Sequence, residues 1–220
     1  MQNPTIIYED DYILALNKPA GMDVEMLQAW VKDNFKFAIS NSYELRNGLV
    51  HRLDKPTSGI ILFAKTEDVF YAIQKQFADR TTEKVYEALV HGKVIPEEGT
   101  INAKIGRLPW KRINFGVIES GREALTNYKV TASNGEYSLL ELYPKTGRTH
   151  QLRVHLKHIG NLVVGDQKYA PRKIAKADLI KFGRLMLHAK SIKFVHPATK
   201  EKITLVAPLP NDLKLPIDEK

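Results

Sequence analysis

Three short stretches of the chain gather residues that can do chemistry. The first is His51-Arg52-Leu53-Asp54-Lys55-Pro56-Thr57-Ser58-Gly59. Alternate side chains of an extended segment share a face, so Arg52 and Asp54 point one way while Leu53 packs behind. Pro56 withholds a backbone donor, and Gly59 eases the chain into the apolar run Ile60-Ile61-Leu62-Phe63-Ala64. A carboxylate and a guanidinium are thereby held together at the mouth of a sheet, on a stiff element. An Asp beside a turn also caps backbone N–H groups in many proteins, so this stretch by itself assigns no activity.

The second is Thr146-Gly147-Arg148-Thr149-His150-Gln151-Leu152-Arg153-Val154-His155-Leu156. A helix over residues 150–159, capped by Thr149 and ended by Gly160, puts His150, Arg153 and Lys157 on one face. Leu152, Leu156 and Ile159 take the opposite face, so Arg153 has packed helix beneath it and can enter a cleft. Arg148, just before the helix, stands beside backbone N–H groups suited to phosphate. His150, His155 and His158 lack the usual i, i+4 metal pairing and have no acid near them in sequence, so metal binding is not expected. His155 reads as a core residue.

The third runs from Thr82 through Glu83-Lys84-Val85-Tyr86-Glu87-Ala88-Leu89 to Val90. It alternates as a strand should, with Lys84, Tyr86, Ala88 and Val90 on one face. The Tyr86 ring fits simple sheet packing, and it equally fits stacking on an unpaired nucleobase.

These residues need elements to position them. Residues 5–17 read as two strands around the acidic turn Glu9-Asp10-Asp11, and Pro19-Ala20-Gly21 makes a break. Leu27, Trp30 and Val31 have helical spacing, and residues 58–65 form a buried strand. Residues 66–80 predict the clearest helix. Thr66 caps it, Glu67 and Asp68 suit its positive end, and Val69, Ile73 and Phe77 line one face. Strands follow over 84–94, 101–105, 122–132 and 136–143, then over 187–195 and 202–207. Ser133-Asn134-Gly135 is a hairpin turn, since Asn and Gly tolerate positive φ. Tight turns between successive strands favour antiparallel pairing, which gives an α+β class. The chain has neither repeat nor linker, so residues 1–220 are expected to form a single domain.

Composition narrows the function. The 220 residues include 33 Lys and Arg against 25 Asp and Glu, a formal net charge of +8. Residues 145–193 hold twelve of these cations and only Asp166 and Asp178 as acids, while the rest of the chain is slightly acidic. Such a concentration points to a polyanion, and RNA or DNA phosphates fit better than a membrane surface. Lys173, Lys176 and Lys181 also fit a plain solvated face. The absence of Cys excludes disulfides, Cys-ligated zinc, iron–sulfur clusters and thiol nucleophiles. The apolar runs are too short to cross a bilayer, and Glu9, Asp10 and Asp11 sit where a signal peptide would be apolar. A cytoplasmic location is expected.

Taken together, residues 51–65, 80–92 and 146–169 resemble the three signature regions of the RluA-type pseudouridine synthases. Asn17-Lys18-Pro19-Ala20-Gly21-Met22 is similar to that family's first strand and turn, and the tail from Leu187-His188-Ala189 to Leu209-Pro210 to its C-terminal region. The resemblance implies a mixed, largely antiparallel sheet with a central catalytic cleft flanked by helices. It implies a single catalytic domain, with no accessory RNA-binding domain before a first strand near Thr5. It also implies an isomerase that detaches uracil from its sugar through N1 and rejoins it through C5 in ribosomal or transfer RNA.

By the same resemblance Asp54 is the catalytic aspartate, Tyr86 the ring that stacks on the target uracil, and Arg153 the basic partner of Asp54. Arg52 displaces the target nucleotide, and Arg148, His51 and Lys18 join it as RNA-binding residues. No cofactor or metal is implied, and a monomer suffices. The residues after Met22 and the Pro at position 56 depart from the family pattern, which touches substrate contacts and the turn. Two other readings stay open: a non-catalytic RNA-binding protein, and a carboxylate glycosidase, which would need a second acid tied to Asp54.

Overall fold

The computed structural model describes residues 2–37, 46–109 and 111–216. Its first strands are β1 (Thr5–Glu9) and β2 (Ile13–Lys18), followed by helix α1 (Val24–Asn34), β3 (Ser58–Ala64) and helix α2 (Glu67–Ala78). Then come β4 (Glu83–His91), β5 (Glu98–Asn102), β6 (Ile105–Leu108), β7 (Lys111–Val117), β8 (Leu125–Ser133) and β9 (Tyr137–Pro144). Helices α3 (Gln151–His158) and α4 (Arg172–Phe182) precede β10 (Leu187–Val195) and β11 (Lys202–Val206). The class is α+β with a largely antiparallel sheet, as the tight turns predict.

The chain divides into two compact units, residues 1–84 with 189–209, and residues 85–188 with 210–220. In the first, the strand order is β1-β2-β3-β10, with β11 paired to β10. β1 and β2 form a hairpin closed by Asp10, whose carboxylate accepts from the N–H groups of Tyr12 and Ile13. β3 has strand neighbours on both sides, and all seven of its residues are buried. That is why it reads as a continuous apolar run rather than an alternating one. The Thr66 hydroxyl caps α2 by accepting from the Val69 N–H, and Val69, Phe70 and Ile73 are buried.

In the second unit the order is β4-β9-β8-β5, with β6 and β7 as a separate hairpin. Asn134 and Gly135 turn β8 into β9, as their conformational tolerance predicts, and Gly135 has a φ of +90°. Ala88, Val90, Leu140 and Leu142 from the sheet pack with Leu152 and Leu156 of α3.

Two expectations change. The strand expected over 101–105 is two, since β5 ends at Asn102 and β6 begins at Ile105. Thr149 does not cap α3: the cap residue is His150, at φ +57° with no side-chain cap bond. Gln151 through Leu156 of α3 are all buried, the Arg153 face together with the Leu152 and Leu156 face.

Candidate active site

In the first unit, the register pairs Lys18 at the end of β2 with Gly59 in β3. Gly59 has a φ of +114°, and a Cβ there would lie 2.3 Å from the Ala189 carbonyl oxygen, so β10 approaches too closely for a side chain. Immediately before β3 the chain turns tightly, the Thr57 N–H donating to the Asp54 carbonyl at 3.0 Å. Asp54 is half-buried in that turn and Arg52 is exposed, while Leu53 is buried as its alternation requires.

Lys18 holds the turn from below. Its side chain is 1% exposed, and its ammonium donates to the carbonyls of Pro19 (3.0 Å), Met22 (2.9 Å) and Lys55 (3.2 Å). Burial pulls its pKa down to about 8, opposed by the negative charges of Asp54 and Asp23. Lys18, expected as an RNA contact, is therefore an internal tie. A buried ammonium saturated by carbonyls has nothing left for a phosphate, but its charge faces the Asp54 carboxylate.

His51, also expected to bind RNA, turns inward. Its Nε2 accepts from the Leu62 N–H at 3.1 Å, and its ring packs on Phe77 with centroids 5.0 Å apart. Burial, reinforced by the Lys84 charge, pulls its pKa down to about 3, so it is neutral and brings no cation to a phosphate. Its task is to fix the chain that leads to Arg52 and Asp54.

In the second unit, Tyr86 lies on β4 opposite Leu142 and is half-buried against the edge of the Ala88–Leu142 cluster. A buried polar chain positions the Gly147-Arg148 segment. Thr146 accepts from the Leu125 N–H and donates to Gln151 Oε1, which also accepts from the Arg148 N–H. Gln151 Nε2 donates to the Leu125 carbonyl and to Thr126 Oγ1. His155, fully buried, lies 2.9 Å from Thr126 Oγ1 through Nδ1 and 3.0 Å from the Ala103 carbonyl through Nε2. The carbonyl can only accept, so Nε2 carries the proton, and His155 is the core residue its surroundings predict. Arg148 Nε donates to the Glu123 carbonyl.

Arg153 is 4% exposed and donates through Nε and Nη2 to both oxygens of Asp166, at 2.8 and 2.7 Å. Its guanidinium lies over the Tyr169 ring, 5.0 Å from the centroid. Asp166 also accepts from the N–H groups of Lys168 and Tyr169, which folds residues 166–169 around the pair. In the sequence Asp166 stands out only as one of two acids in a basic stretch. The signal was there in Gly165-Asp166, a turn-favouring pair whose Asp accepts from the N–H groups that follow it. No group of three or more His, Asp or Glu among the described residues has the geometry to hold a metal ion.

Residues 12–158 match the model of a family described as RNA pseudouridylate synthase. That span contains Arg52, Asp54, Tyr86, Arg148 and Arg153. The chain belongs to this family. An RNA pseudouridine synthase of Chloroflexus aurantiacus is 41% identical over 90% of this chain and 64% of its own length. One from Bacillus subtilis is 37% identical over 94% of this chain and 70% of its own. The ribosomal large subunit pseudouridine synthase D of Neisseria meningitidis serogroup B is 34% identical over 94% of this chain and 59% of its own. Among solved structures, human RNA pseudouridylate synthase domain containing 1 superposes with a TM-score of 0.81 at 27% identity, covering 96% of this chain and 86% of that one. The RluA-type resemblance and its fold are thus borne out. The family's members are isomerases, and the chain spans a little under two thirds of some relatives and somewhat more of others.

Proposed function

We propose that this protein isomerises uridine to pseudouridine in a structured RNA, and that Asp54 is the carboxylate that starts the reaction. One observation carries the proposal. The family's aspartate position falls in a tight turn at the head of a fully buried strand, with a buried lysine ammonium facing it. A carboxylate so placed is held on rigid backbone, with a cation beside it. Ionised, it can act on the ribose or the base as the uracil leaves through N1.

The target must first be everted from its stack, which costs a few kcal/mol. Arg52, exposed beside Asp54, fills the gap left behind. Tyr86 stacks on the detached uracil while it turns to present C5. Arg153, locked by Asp166 and Tyr169, is the basic residue of the reaction, and Arg148 contacts RNA. Ribosomal RNA is the first substrate to try and transfer RNA the second, since one relative is named for the large ribosomal subunit. The reaction requires no net redox change, and the cytoplasm is where these RNAs would be met.

The test is tritium release from RNA labelled at uridine C5, with the wild type and Asp54→Asn. The variant should bind RNA and melt as the wild type does, with product formation reduced at least a thousandfold, about 4 kcal/mol in barrier. Near-native turnover by Asp54→Asn removes Asp54 from the chemistry. Failure of the wild type to release tritium from every RNA tried removes the activity.

A further inference from the structure

We propose that the exposed face of α4, with Lys168 just before it, is a docking surface for phosphates of the substrate RNA outside the reacting nucleotide. The inference rests on RNA being the substrate. Lys168, Arg172, Lys173 and Lys176 are all exposed, and none has an ion-pair partner among the described residues. The only two acids between residues 145 and 193 are both spent internally. Asp166 is 2% exposed and holds Arg153, while Asp178 is 4% exposed and lies 2.9 Å from His91 Nε2 and from the Gly165 N–H. The surface is left with cations and no counter-charge of its own.

Helix geometry collects them. At 100° per residue, Arg172, Lys173, Lys176 and Ile180 share one side, opposite the buried Ala175 and Asp178. Ile180 is 79% exposed and Leu179 48%, giving the basic face an apolar edge suited to ribose and base surfaces. The charges also sit badly for the helix itself. α1 and α2 begin with side-chain caps and acids in the first turn, as the helix dipole favours. α4 begins after Pro171 with no side-chain cap and with Arg172 and Lys173 in its first turn. Local stability is set aside there, which is where an interaction surface is expected. A lipid surface would want a broader apolar face than two side chains provide, so RNA is the better match.

The test compares the wild type with Arg172→Gln/Lys173→Gln/Lys176→Gln, and with a control of equal charge change, Lys32→Gln/Lys200→Gln/Lys202→Gln. Binding to large-subunit ribosomal RNA and transfer RNA transcripts is measured across salt concentrations. The α4 variant should bind tenfold or more weakly, with its log–log salt slope shallower by about 2 to 3. The control should change far less. Equal weakening by the control, or unchanged affinity and slope, overturns the proposal. So does a variant that keeps its RNA affinity and loses binding to phosphatidylserine vesicles. If the wild type makes no pseudouridine on any RNA yet the α4 variant alone loses affinity, the enzymatic reading fails and this surface stands.

Discussion

The Lys18 ammonium donates to the Lys55 carbonyl at 3.2 Å, one peptide from Asp54, while also bonding Pro19 and Met22. One buried cation therefore ties the end of β2, the turn after it and the turn bearing the candidate catalytic carboxylate. Lys18→Met leaves three carbonyls without this donor and removes the positive charge facing Asp54. Each unsatisfied buried acceptor costs about 1–3 kcal/mol, partly offset by no longer burying a charge. The expected outcome is a net loss of about 2 kcal/mol in urea denaturation and a larger fractional loss of turnover than of RNA affinity.

Burial holds the Lys18 pKa near 8, below its value of 10.5 in the unfolded chain. Between those values the unfolded state binds a proton that the folded state has released, so stability rises with pH across that window. The contribution is complete above the unfolded value and falls away as pH drops to about 8. Lys18→Met should flatten this alkaline limb, as read from urea midpoints collected as a function of pH. An equally steep limb in the variant assigns the titration elsewhere.

His51 supplies the acid limb. Burial first, then repulsion from Lys84, holds its pKa near 3 against an ordinary value of 6.5. Below 6.5 the unfolded chain takes up a proton that the folded ring refuses, so stability falls with pH by up to about 1.4 kcal/mol per unit. His155, also pulled down by burial, adds in the same direction. His51→Gln keeps an acceptor for the Leu62 N–H and should lose stability more gently between pH 6.5 and 4, in the same urea titration.

Much of this was legible in the sequence because local chemistry agreed with tertiary context. Thr66 with Glu67 and Asp68, the Asn134-Gly135 turn, and the unbroken apolar run of β3 each name their own structure. The fates of Lys18, His51 and Arg153 were not legible. Each is a polar side chain whose direction is decided by partners remote in sequence: the Lys55 carbonyl, the Leu62 N–H and the Asp166 carboxylate. Helical periodicity lets Arg153 enter a cleft, yet its guanidinium is engaged by Asp166 and lies over the Tyr169 ring, both from the segment that follows α3. The β6–β7 hairpin escaped notice because Lys111-Arg112-Ile113-Asn114 carries no clean alternation of apolar and polar residues.

The bidentate Arg153–Asp166 pair predicts a strong asymmetry between variants. Removing one partner of a buried ion pair strands the other, at about 3–5 kcal/mol. Asp166→Asn should destabilise at the low end of that range, because the amide oxygen still accepts one bond. Arg153→Lys should also be costly, since one ammonium does not reproduce the planar fork over Tyr169. Thermal melting distinguishes these losses from catalytic ones: Arg153→Lys should lower both the melting temperature and turnover. A variant that melts as the wild type does while losing all activity would assign Arg153 to chemistry alone.

Gly59 gives the most severe single substitution expected. A methyl group there would sit 2.3 Å from the Ala189 carbonyl oxygen and 2.5 Å from its nitrogen, both backbone atoms. Neither can yield by rotating a side chain, so β3 and β10 must separate. The φ of +114° adds backbone strain of about 1–3 kcal/mol for any residue with a Cβ. Gly59→Ala should therefore cost more than about 3 kcal/mol and express poorly at physiological temperature. Because Gly59 faces Lys18 in the register, the surviving folded fraction should also show a displaced Asp54 turn. Slowed tritium release per folded molecule, measured at low temperature, is the readout, and a normal rate would mean that the turn is held by Lys18 without help from the β3–β10 contact.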